Sequence, residues 1–395
     1  MKNISSAAFS DTKPHYELLD GLRGVAALLV VFYHIFEGLS FAAGGTLITV
    51  INHGYLAVDF FFILSGFVIV YSYDDRLGKS MCLGIFFKRR LIRLHPMIVM
   101  GAVLGVIFYL LQGSVQWDGT HISLSLVMLA LLCAMFFIPA APGACYDIRG
   151  NGEMFPLNGP SSSLFFEYIG NILYALFIHR LSTRALAALV AATGAGLALY
   201  ATLGPLGDIC VGYSLTGMEF LGGMLRVLFA FPAGLLLYRL FRRGGALRVR
   251  GAFWWSGAAV VALLAVPRIG GADARWMNGL YDTLCAVAAF PLLVWIGASG
   301  QTTDRFTGAL CRFLGAISYP LYIVHYPFIY LYYGWVKREQ LTFGESLPGA
   351  AALVAGCLLL AWVSLRYYDI PIRKWLTERL LGRPARPAGP NHTTP

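Results

Sequence analysis

Arg23 and His34 lie eleven residues apart in the run Leu19-Asp20-Gly21-Leu22-Arg23-Gly24-Val25-Ala26-Ala27-Leu28-Leu29-Val30-Val31-Phe32-Tyr33-His34. An α-helix turns about 100° per residue, so this spacing puts both side chains on one face, about 16 Å apart along the axis. A neutral imidazole can take a proton from a hydroxyl near neutral pH. A carboxylate on its second nitrogen would fix the tautomer and stabilise the imidazolium, and Asp59 and Glu167 are the candidates for that role at His34. His325 is a second histidine inside an apolar run. Lys88, Arg89, Arg90 and Arg93 form a basic cluster whose arginine forks suit phosphate oxygens.

The elements that must position these groups are apolar. Of 395 residues, 58% are hydrophobic and 13% charged, and the mean hydropathy is +0.67. Soluble domains carry about 25% charged residues, so the chain reads as an all-α, polytopic membrane bundle. Apolar segments run over 22–40, 54–73, 92–112, 122–141, 163–180, 184–203, 220–241, 252–267, 280–298, 313–334 and 345–368. The expected layout is a polar lead-in over 1–18, one membrane domain over 19–376 and a disordered cytoplasmic tail over 377–395. The first apolar run contains His34 and is followed by many more, so it reads as an uncleaved helix and not a signal peptide.

The net charge of +10 sits in short loops between apolar runs, which points to membrane orientation and away from nucleic acid. Loops 74–91 and 239–251 and the C-terminal segment carry clusters of Lys and Arg residues. Loops 41–53, 113–121 and 204–219 carry none. The first group should be cytoplasmic and the second external. Eleven crossings would put loops 74–91 and 239–251 on opposite sides. Ten crossings, with 122–141 re-entrant or interfacial, repair the parity and leave both termini cytoplasmic. In that topology His34, Asp59, Glu167 and His325 share a level in the outer part of the membrane, as a site would require.

Each residue also has a plainer reading. Intramembrane histidines and carboxylates can simply bond neighbouring helices, and Tyr322 and Tyr326 around His325 suit an interfacial aromatic belt. Arg226 could balance Glu219 or another acid. Glu37 is one turn beyond His34 but nearer the surface. The basic cluster is explained equally by orientation or by a phosphate-bearing ligand. Gly101 and Gly105 have the spacing of a close helix contact. The seven cysteines show no metal spacing, and no metal is expected. A Cys145–Cys210 bridge is open on sidedness alone.

Taken together, the motifs resemble the acyltransferase-3 family of integral-membrane O-acyltransferases. Leu19-Asp20-Gly21-Leu22-Arg23-Gly24 with His34 is similar to its arginine–histidine signature. Val58-Asp59-Phe60-Phe61-Phe62 with Ser65-Gly66-Phe67, then Phe87-Lys88-Arg89-Arg90-Leu91-Ile92-Arg93-Leu94-His95-Pro96, resemble the second and third motifs. Ser163-Leu164-Phe165-Phe166-Glu167 and Gly315-Ala316-Ile317-Ser318-Tyr319-Pro320-Leu321-Tyr322-Ile323-Val324-His325 resemble the fourth and fifth. The likeness covers roughly residues 15–375. Ser162 stands where tryptophan is usual, and Asp369 where glutamate is common. Some relatives carry a fused hydrolase-like domain, for which this length leaves no expected room.

The resemblance implies transfer of an acyl group, acetyl in the expected case, from acyl-CoA to a hydroxyl of a cell-surface or lipid-linked glycan. It implies Arg23 and His34 as required residues and a bacterial cytoplasmic membrane. The expected assignment places His34 as general base, with Asp59, Glu167 and His325 as catalytic partners. Arg23, Arg89, Arg90 and Arg93 would hold the donor, and Ser65, Ser318 and Tyr319 the acceptor. No cofactor is expected to remain bound; acetyl-CoA is a substrate. Ser65 is the least poor candidate for an acyl-enzyme route. The competing classes are a transporter or flippase using the buried charges as a proton relay, disfavoured by the lack of an inverted repeat, and an enzyme acylating a small molecule.

Overall fold

The computed structural model describes residues 16–42, 52–244, 249–271, 273–302 and 304–382. Among them the structure is helical, with isolated bridges and no strand. The helices are α1 (Glu17–Ala42), α2 (Ala57–Tyr73), α3 (Leu83–Leu111), α4 (Leu124–Met135), α5 (Ser161–Leu176), α6 (Thr183–Leu203) and α7 (Gly217–Phe241). They continue as α8 (Ala252–Ala265), α9 (Trp276–Leu284), α10 (Phe290–Ser299), α11 (Arg305–Glu339), α12 (Phe343–Ser364) and α13 (Ile370–Leu381). Single π turns, Cys285–Ala289 and Leu365–Asp369, join α9 to α10 and α12 to α13 without a break.

Eight helical stretches among the described residues are long and apolar enough to cross a bilayer. The polytopic bundle expected from composition is therefore present. The other two of the ten expected crossings fall on shorter helices. α5 has 16 residues and α8 has 14, or about 24 and 21 Å of axis, less than the roughly 30 Å of hydrocarbon. The segment 122–141 contains only α4, 12 residues long, about 18 Å. α4 leaves the 112–123 loop, where Ile122 N–H donates to Ser114, and descends along α3 until the Met135 carbonyl meets His95. The chain then climbs back, and the Ile148 carbonyl accepts from Tyr109 near the top of α3. This in-and-out path is what the charge parity required.

α1 and α11 run parallel and in register. Asp20, Arg23, His34 and Glu37 face Gly315, Ser318, His325 and Tyr333 in turn. Glycines allow the close approach. A Cβ on Gly24 would fall 2.5 Å from the Leu314 carbonyl oxygen, and one on Gly315 would fall 2.6 Å from the Asp20 Cβ. α2 and α7 cross in the same way, Gly66 against the Phe231 carbonyl and Gly234 against the Ile63 carbonyl. Such contacts substitute van der Waals packing for a hydrophobic drive that lipid does not provide. Gly101 and Gly105 are also close contacts, but their partners are Asn158 and Leu157 of the 136–160 connection, with Ile323 of α11.

The C-terminal boundary differs from expectation. α13 runs to Leu381, so 377–381 are helical because the α12 helix continues through its π turn; 383–395, with residues 1–15, lie outside the described residues. All seven cysteines are free. Cys145 is exposed, whereas Cys210 meets the Tyr33 hydroxyl at 3.4 Å.

Gly66→Val should wedge α2 from α7, because the new methyls meet backbone and not a movable side chain. The expected loss is about 1–3 kcal/mol, read as a lower unfolding midpoint in detergent micelles. An unchanged midpoint would mean the crossing relaxes freely.

Candidate active site

Two polar regions hang on the α1–α11 seam, one at each end of the Arg23–His34 spacing. At the first, Arg23 Nε donates to Ser318 Oγ at 2.8 Å, and its Nη2 donates to the Gly315 carbonyl at 3.0 Å. Asp20 pairs with it at 3.1 Å. α3 adds Arg90, whose Nη2 reaches Glu167 at 2.8 Å, and Ser65 Oγ donates to the same carboxylate at 2.7 Å. The Arg93 guanidinium lies 5.6 Å from the centre of the Tyr319 ring, within cation–π range. The Nε–H groups of Arg89 and Arg90 are buried without an acceptor among the described residues.

His34 occupies the other region, in a cavity of about 400 Å³. Its Nδ1 and Glu37 Oε2 are 2.9 Å apart. With that carboxylate accepting from Nδ1–H, Nε2 carries the lone pair. Tyr33 and Tyr333 donate to Glu37 at 3.3 and 3.2 Å, and Tyr333 also donates to the His34 carbonyl at 2.7 Å. His325 stacks on His34 with ring centres 5.3 Å apart, and the Tyr326 ring meets His34 edge-on at 4.7 Å. His325 is fully buried and donates backward to the Leu321 carbonyl, so it braces the His34 ring from outside the cavity.

The two regions are separated by a floor. Ser163 and Tyr322 are hydrogen-bonded at 2.6 Å and both line the cavity. Phe61 packs edge-on against Tyr322. One helical turn further along, Ser65 and Glu167 belong to the arginine region.

The carboxylate at His34 is thus Glu37, and neither Asp59 nor Glu167. Asp59 is fully buried and paired bidentately with Arg226 at 2.7 and 3.1 Å. Arg226 also donates to the carbonyls of Val211 and Tyr55, so the pair locks α2, α7 and the 204–216 loop. Ser65, Ser318 and Tyr319 sit with the arginines and not in the cavity. The expected common level of four titratable groups resolves into a histidine pair and two carboxylates, each held by its own arginine.

Sequence reasoning passed over Arg149 and Glu153, in the Gly- and Pro-rich 136–160 connection. Arg149 is buried over the Tyr330 ring, 3.4 Å from its centre. Glu153 accepts from Tyr330 and from Asn151 and lines the cavity. Burial pushes the Glu153 carboxyl up to about 7, against hydrogen bonds and an arginine that favour its charged form. The loop composition hid them, because turn residues advertise exposure.

Among the described residues no three His, Cys, Asp or Glu side chains converge to hold a metal. The Acyl_transf_3 family, described as an acyltransferase domain, matches residues 16–366. The chain belongs to that family. It is a multi-pass membrane acyltransferase. Protein 2 in picA locus of Rhizobium radiobacter is 36% identical over 167 residues, 40% of this chain and 80% of that protein. Acyltransferase MdmB of Streptomyces mycarofaciens is 36% identical over 118 residues, 28% of this chain and 30% of that protein. No solved structure matches. The matched span includes both polar regions of the acyltransferase and stops short of α13.

In this acyltransferase Arg226→Met should strand a buried carboxylate and cost about 3–5 kcal/mol. Asp59→Asn with Arg226→Gln should recover most of that in chemical unfolding of the micelle-bound protein. A double variant as unstable as the single would show that the charge pair is not the cause.

Proposed function

We propose that the protein transfers an acyl group, acetyl in the simplest case, from acyl-CoA to a hydroxyl of a cell-surface or lipid-linked glycan. The observation that carries this reading is the His34–Glu37 pair in a tyrosine-rich cavity at one end of α1, with an arginine cluster at the other. CoA is rich in phosphate, and Arg23, Arg89, Arg90 and Arg93 offer the forks to hold it. The roughly 16 Å along α1 is comparable to the reach of an extended pantetheine arm. The rings of Tyr326 and Tyr330 and the carboxylate of Glu153 suit the apolar faces and hydroxyls of a sugar.

In this mechanism the acceptor hydroxyl gives its proton to His34 Nε2 as its oxygen attacks the thioester carbonyl. The C–O bond forms and the C–S bond breaks. The imidazolium then returns the proton to the leaving thiolate. Glu37 keeps Nδ1 protonated and stabilises the imidazolium. Direct transfer is preferred because Ser65 is committed to Glu167 and lies outside the cavity. On this reading the arginine end faces the cytoplasm, where CoA resides, and the cavity faces out.

Membranes carrying the protein should move label from acetyl-CoA to surface glycan, followed by mass spectrometry. His34→Ala should lower the rate by about 10²–10⁴-fold while the protein still inserts, and Glu37→Gln should fall between the two. Transfer at the wild-type rate by His34→Ala would sink the assignment. Label-free movement of saccharide would point to transport instead.

A further inference from the structure

We propose that Arg373, on α13, is a fifth arginine of the donor site and binds a phosphate of the acyl-CoA together with Arg23 and Arg93. The inference rests on the reading of acyl-CoA as donor. It goes beyond the family match, which ends at residue 366.

α13 is brought to α3 by specific contacts. The Tyr368 hydroxyl donates to the Pro96 carbonyl at 3.1 Å, and Lys88 Nζ reaches the Leu380 carbonyl at 3.5 Å. Arg373 is fixed between these levels, its Nη1 donating to Asp369 Oδ2 at 3.0 Å. The π turn over Leu365–Asp369 buries Asp369 and so aims α13 at the basic face of α3. Such turns occur often at functional sites.

The result is a chain of like charges. Arg93 lies within electrostatic reach of both Arg23 and Arg373, and Tyr319 lies against Arg93, its hydroxyl donating to the Leu94 carbonyl at 2.5 Å. The Arg373 side chain is only 13% exposed and that of Arg90 is the same. Asp20, Glu167 and Asp369 each balance one arginine, Arg23, Arg90 and Arg373, so Arg89 and Arg93 leave the array with an excess of positive charge that a phosphate would offset. The unmet Nε–H donors of Arg89 and Arg90 give the same indication. A ligand with several phosphates fits this array better than a single carboxylate.

The test is calorimetric titration of coenzyme A into the full-length protein in phosphatidylcholine nanodiscs, where no anionic lipid competes. Arg373→Gln should weaken binding about 10- to 100-fold, the range for a charge-assisted contact. Because Arg373 also neutralises Asp369, the double variant Asp369→Asn with Arg373→Gln is made as well. It should regain thermal stability without regaining affinity. Full recovery of affinity in the double variant, or wild-type affinity in Arg373→Gln, overturns the inference. Unchanged coenzyme A affinity in Arg373→Gln, with phosphatidylglycerol stabilising wild type alone, reassigns Arg373 to a lipid phosphate and also overturns it. No coenzyme A binding by wild type removes the donor reading itself, and the inference with it.

Discussion

The parallel, in-register seam between α1 and α11 is the constraint on which both polar regions depend. Arg23 finds Ser318, and His34 finds His325, because the two helices run side by side with their pairings kept within about one turn of a common offset. The small residues Gly24 and Gly315 set the spacing at one end. At the other, Gly38 leaves room for the Tyr333 ring that reaches Glu37 and the His34 carbonyl. The seam therefore couples the ends.

Burial of charge decides which carboxylate serves which base. A lone carboxylate in an apolar interior is costly, so it is paired and hydrogen-bonded wherever it sits. Asp59 has Arg226 and Glu167 has Arg90, and neither is left to attend His34. Glu37 is one helical turn from His34 on the same helix, partly exposed at the cavity, and is satisfied by the imidazole and two tyrosines. The short local pairing wins because the more deeply buried acids are already neutralised by cations of matching depth.

What the sequence made legible follows from locality. The Arg23–His34 face is a consequence of helical periodicity alone, and the charged loops told which apolar segment could not be an ordinary crossing. α4 then proves to be a short dip that returns to its starting end. The pairings hidden from sequence are those that join residues far apart in the chain, such as Asp59 with Arg226 or Glu167 with Arg90. Arg149 and Glu153 were hidden for a different reason. Their connection is rich in Gly and Pro, yet it folds inward against Tyr109, Tyr330 and Ile323. The tail begins later than 377 because α13 runs on to Leu381, just before Gly382, where the Gly-, Arg- and Pro-rich stretch starts.

The floor between the two regions imposes a condition on any chemistry that uses both. Ser163 and Tyr322 close the cavity where α5 begins, and Phe61 backs the tyrosine. On the proposed reading, a thioester arriving from the arginine end must part that hydrogen bond to reach His34. On that reading the Tyr322 hydroxyl is the donor released toward the incoming carbonyl, because Ser163 Oγ donates to the Pro160 carbonyl at 2.9 Å. On the proposed reading, one hydrogen bond between α5 and α11 therefore stands between the donor end and the imidazole.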